Sequence, residues 1–90
     1  MSMVKAYVLI KTIGGKEDAI IRELLKLSVT EEAHKVFGPY DIIVEIRGRD
    51  MEAIVDILLT KIRPISGLIE TQSLLVIDAE LDMLSTNLGT

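Results

Sequence analysis

The sequence predicts an α+β domain in which a four-stranded antiparallel sheet carries both of its helices on one face. Two observations predict it. Apolar residues alternate at a period of two in two stretches and follow helical spacing in two others, and with two further strand-like segments, one polar in its middle, the order is strand, helix, strand, strand, helix, strand. Glycine and proline clusters punctuate that order at Gly14-Gly15, Gly38-Pro39, Gly48 and Pro64 to Gly67. The 90 residues make one domain, 1–90, of a size that buries only about 60% of its unfolded surface.

In the first strand, Val4 to Thr12, Val4, Ala6, Val8 and Ile10 share a face, with Lys5, Tyr7, Leu9 and Lys11 on the other. Ile13 to Lys16 breaks it. Glu17 and Asp18 then place negative charge where a helix N-terminus favours it, and Ile20, Ile21, Leu24, Leu25 and Leu27 form the stripe of a helix over Ala19 to Leu27. Val29 to Phe37 reads as a second strand, polar in its middle. After Gly38-Pro39, Ile42, Val44 and Ile46 alternate with Asp41, Ile43, Glu45 and Arg47 in the second arm of a hairpin. Asp50 is placed to cap a helix running to about Arg63, with Ile54, Ile57, Leu58 and Ile62 buried and Met51 and Val55 widening the stripe. Pro64 disfavours helical geometry at Arg63. Leu68 to Ile77 is the last strand, and 78–90 suggest a short terminal helix or an exchanged arm. The order is that of a ferredoxin-like βαββαβ sandwich.

Composition narrows the function. Hydrophobic residues make up 49% of the chain and mean hydropathy is +0.40, with only three aromatics. One sheet face has no helix over it, and Tyr7, Leu9 and Ile43 give that face apolar character. A second copy covering it would hide this surface, so at least a dimer is expected. The net charge is −4 and the ten Lys and Arg form no basic block, which argues against direct nucleic-acid binding. The chain has no cysteine, excluding disulfides and thiol chemistry and fitting a cytoplasmic protein. No apolar run approaches the ~18 residues of a membrane span.

The reactive residues offer little to catalysis. His34 is the only histidine and has no partner at ligand spacing, so it reads as a solvated or interface side chain and no metal is expected. "IGGKED" lacks the upstream glycine and the hydroxyl of a phosphate loop and reads as a strand-to-helix turn. The fourteen Asp and Glu fall mostly on solvent faces. No cofactor is implied. What remains is Gly38-Pro39-Tyr40-Asp41 and, further on, Thr71-Gln72-Ser73. A turn leaves main-chain groups free of the ladder, Tyr40 adds an amphipathic wall, Asp41 an anion, and Thr71 and Ser73 two hydroxyls on one side of a strand, a set suited to a zwitterion. A plainer account fits the same residues: Asp41 bonds its own turn, and the hydroxyls face water.

The stretches "YVLIKT" and "GGKE" before the first helix, the turn "VFGPYDIIVE", "DMEAI" opening the second helix and "IRPISGLIETQS" leading into the last strand together resemble a known family, the RAM domain, which is the effector-binding half of the Lrp/AsnC transcription regulators. The resemblance runs from about Met3 to Ile77. It implies dimers formed sheet against sheet, often joined into octameric or similar rings, with amino acid effectors bound between dimers. By matched position Gly38, Tyr40 and Asp41 would line that pocket, with Thr71 and Ser73 completing it from the last strand or a neighbouring subunit. Ser73 stands where many members have threonine. The helix-turn-helix of full regulators does not fit before Val4, so the expectation is a stand-alone module that acts by joining or altering assemblies of full-length regulators. Two other readings remain open: a purely structural oligomerisation module, and a small dimeric α/β-barrel enzyme, since fold alone does not decide function.

Overall fold

The computed structural model describes residues 3–77; the terminal helix or arm expected over 78–90 lies outside them. Its elements are β1 (Val4–Thr12), α1 (Glu17–Leu25), β2 (Thr30–Lys35), β3 (Ile42–Gly48), α2 (Met51–Ile57) continued by a π-helical turn (Leu58–Ile62), and β4 (Leu68–Leu75). The sheet is antiparallel in the order β2-β3-β1-β4. This is the expected ferredoxin-like sandwich. β1 and β3 fill the centre, and β2 and β4 are the edges.

The period-two pattern decides what faces the helices. Ala6, Val8 and Ile10 of β1 and Ile42, Val44 and Ile46 of β3 are buried in register against each other, and Ile20, Leu24, Ile54 and Ile62 close over them. At about 25 cal/mol per Å2 of apolar surface removed from water, this aliphatic layer is the main favourable contribution to folding. Gly48 lets α2 lie close to the end of β3: a Cβ there would stand 2.9 Å from Ile54 Cδ1.

Several boundaries move. α1 starts at Glu17, not Ala19, because the first turn needs favourable charge more than an apolar residue, and Glu17 Oε1 accepts the Gly15 N–H at 3.1 Å. β2 is shorter than Val29 to Phe37: its register shifts between Thr30 and Glu32, and Val36 and Phe37 already belong to the connection, with the Phe37 ring fully exposed. β4 loses regular geometry after Leu75, although the Val76 N–H still donates to Lys5 O.

Asp50 caps α2 as expected, its carboxylate accepting the Ala53 N–H at 2.8 Å. Met51 and Val55, however, are exposed and do not widen the buried stripe. At 3.6 residues per turn Val55 points about 100° away from Ile54, and Met51 opens the helix just past the end of β3. The helix does reach Ile62, but its last turn is wider than an α-turn, with the Arg63 N–H donating to Leu58 O. Two local features favour that widening. The Thr60 hydroxyl donates back to Asp56 O at 2.7 Å, a bond that bends helices, and Pro64 cannot continue a regular one.

Candidate ligand site

The connection between β2 and β3 is closed by the Val36 N–H donating to Asp41 O at 2.9 Å. Gly38 within it has φ +149, a conformation that side-chain-bearing residues rarely adopt. Asp41 then joins the turn to β1 twice. Its N–H donates to Ile10 O at 2.8 Å, and its carboxylate accepts the Thr12 N–H at 2.8 Å and, at 3.4 Å, the Thr12 hydroxyl. A side chain thus takes the place of a carbonyl in the ladder, and the anion is partly occupied in holding the turn.

Tyr40 lies across the helix-free face and reaches β4. Its hydroxyl donates to Gln72 Oε1 at 2.7 Å, with Glu70 Oε2 at 3.3 Å. Partial burial of the ring, then the Glu70 carboxylate beside the hydroxyl, raise this phenol above its ordinary value of 10.0.

Thr71 and Ser73 are on the other side. They stand opposite Ile10 and Val8, whose side chains are buried under the helices, whereas Glu70 and Gln72 stand opposite Lys11 and Leu9 on the helix-free face. Within one chain the five residues singled out by sequence therefore form two groups separated by the sheet: Gly38, Tyr40 and Asp41 at the turn, Thr71 and Ser73 toward the helix layer. Period-two spacing predicts that Thr71 and Ser73 share a side, as they do. It gives no sign that Gln72 and Glu70 are the residues Tyr40 meets, because they lie 32 and 30 residues away and are brought near only by the pairing of β1 with β4.

Thr71 and Ser73 face a cleft of about 470 Å3 between the β4 edge and the end of α2, lined also by Leu58, Arg63, Leu68 and Glu70. Arg63 was legible in the sequence only as the residue before Pro64. The wide last turn of the helix carries it to this cleft. A smaller hollow of about 240 Å3 on the helix-free face is lined by Tyr7, Glu32, His34, Ile43 and Glu45. There His34 Nε2 is 2.8 Å from Glu32 Oε1, both side chains exposed. Among the described residues no group of three His, Cys, Asp or Glu could hold a metal ion, and no helix is long and apolar enough to cross a membrane.

The fold agrees with what the chain is similar to. The family model described as the Lrp/AsnC ligand binding domain matches residues 5–84. The chain belongs to the Lrp/AsnC ligand-binding domain family. As a domain of that family it is a small-molecule-binding regulatory module. Among solved structures, FFRP-DM1 is 30% identical, with 82% of this chain and 99% of that one covered and a TM-score of 0.79. TTHA0845 from Thermus thermophilus is 30% identical over 84% of this chain and 95% of its own, with a TM-score of 0.81. The transcriptional regulator NMB0573 from Neisseria meningitidis, solved as a complex with L-Met, is 16% identical over 84% of this chain and 51% of its own, with a TM-score of 0.74, and shares the Lrp/AsnC domain fold. Comparison with curated proteins finds no match.

Proposed function

We propose that this Lrp/AsnC domain binds a free amino acid and, through it, alters assemblies of itself and of full-length transcription regulators of amino acid metabolism. Its role is binding, not catalysis. The observation that carries this proposal is the cleft beside β4, lined by Thr71, Ser73, Arg63 and apolar residues in a volume of about 470 Å3, well suited to a small zwitterion. The L-Met complex of NMB0573 supports an amino acid as the class of ligand. Gly38, Tyr40 and Asp41 enter the same site when a second copy brings its turn to the cleft, since one chain holds the two groups on opposite sides of its sheet.

A screen of the twenty amino acids at millimolar concentration by thermal denaturation tests the proposal. A ligand bound only by the folded chain adds RT ln(1 + [L]/Kd) to stability. One or more amino acids are expected to raise the Tm; a flat response to all twenty overturns the proposal.

A further inference from the structure

β4 is an edge strand, and its hydrogen-bond phase determines what that edge offers. The register that pairs Ala6 with Leu75, continued by one residue, sets Val76 opposite Lys5, and the Val76 N–H donates to Lys5 O at 2.9 Å. In an antiparallel pair, residues that exchange bonds alternate with residues that turn their main-chain groups away. Counting along the β1–β4 register, Leu74, Gln72 and Glu70 face β1, and Ser73 and Thr71 turn their N–H and C=O outward, toward the cleft. Both residues also line that cleft. Arg63 stands across the same cleft, and among the described residues its guanidinium makes no ion pair. The walls between are Leu58 and Leu68, both partly buried against the core.

We infer that Arg63 is the carboxylate anchor of this cleft and that an α-amino acid with an aliphatic side chain lies along the β4 edge like one residue of an added strand. Its carboxylate pairs with the Arg63 guanidinium and an outward N–H, its ammonium meets an outward carbonyl of Thr71 or Ser73, and its side chain rests on Leu58 and Leu68. The chemistry is that of strand addition reduced to a single residue: main-chain groups supply two of the ligand's partners, and one arginine supplies the charge that an amide analogue would not need. The inference rests on the proposed amino acid binding and adds the residue that selects a free carboxylate.

The test measures calorimetric binding of L-valine and of L-valinamide to the whole chain, to Arg63→Gln and to Arg63→Lys. Arg63 is exposed, so both variants are expected to fold, and a thermal melt without ligand verifies that they do. Expected are binding of valine but not of valinamide to the unaltered chain, a loss of roughly tenfold or more in R63Q, as for removal of a hydrogen bond to a charged group, and partial recovery in R63K. Valine bound equally by the unaltered chain and R63Q, or valinamide bound as well as valine, overturns the anchor while leaving the proposed function in place. An unaltered chain that ignores valine overturns the aliphatic assignment, and the twenty-member screen then shows separately whether amino acid binding itself fails.

Discussion

The Asp41 carboxylate accepts the main-chain N–H of Thr12 at 2.8 Å, standing in for a carbonyl just before β3 begins. Thr12 is only 6% exposed, so water is poorly placed to replace that acceptor. Removing it leaves a buried donor without a partner, which costs roughly 1–3 kcal/mol. Asp41→Ala is accordingly expected to lower the stability measured by urea titration by that amount, and Asp41→Asn, which keeps an oxygen in place, to lower it less. Equal losses in the two variants would show that the charge, and not the hydrogen bond, matters.

The approach of α2 to the sheet depends on Gly48 in a way that can be read by a double-mutant cycle. A methyl at this position meets Ile54 Cδ1 at 2.9 Å and Cγ1 at 3.2 Å, and Ile54 is 2% exposed, with little freedom to move aside. Gly48→Ala is expected to destabilise by about 1–3 kcal/mol through overpacking. Ile54→Val removes the nearest atom and alone costs about 0.5–1.5 kcal/mol. Because the two changes relieve one another, the double variant is expected to be more stable than the sum of the single losses predicts. Simple additivity in denaturant titration would mean that the helix shifts instead.

The fold was largely legible because its signals are local and redundant. Val4 to Thr12 and Ile42 to Arg47 alternate cleanly, and every buried position expected at Ala6, Val8, Ile10, Ile42, Val44 and Ile46 is buried. Asp50 announces its helix by a cap whose bond is made within three residues. What was not legible depends on pairing across the chain. Nothing near Tyr40 in sequence indicates Gln72, and nothing near Arg63 indicates Thr71 and Ser73. Period-two spacing groups Thr71 with Ser73 but cannot tell which face of the sheet they share; only the register against Ile10 and Val8 does. Met51 and Val55 misled because an apolar residue at the margin of a helical stripe is buried only if the opposing layer extends under it.

Tyr40 provides a spectroscopic test of its contact with β4. Its raised pKa comes first from burial of the ring and then from the Glu70 carboxylate, so Glu70→Gln should lower it part of the way toward the ordinary tyrosine value. Absorbance of the phenolate measured in a Tyr7→Phe background isolates the one remaining tyrosine. The sign of the stability effect follows: a phenol whose folded pKa lies above the unfolded value near 10 contributes stability that is complete below that value and is lost as pH rises through the folded pKa. The chain is therefore expected to lose stability on the alkaline side of about pH 10, with a smaller loss in E70Q. An unchanged titration in E70Q would place the hydroxyl away from that carboxylate.

The helix-free face sets the last expectation. Ile43 stands between Leu9 of β1 and His34 of β2, and Leu74 on β4 is 49% exposed beside Tyr7. Aliphatic surface at the centre of a sheet is unfavourable in water, and the charges that rim it, such as the Lys5–Glu45 pair at 3.1 Å, leave that centre apolar. If a second copy covers it, as the apolar character of this face leads us to expect, then Ile43→Glu buries a carboxylate with no partner at the contact. An uncompensated buried charge costs several kcal/mol, more than a small interface can lose. Light scattering should then show the unaltered chain as a dimer or larger assembly and I43E as a single folded chain, with a thermal melt confirming that the variant still folds. A mass unchanged by I43E would mean that copies, if they associate, meet through some other surface.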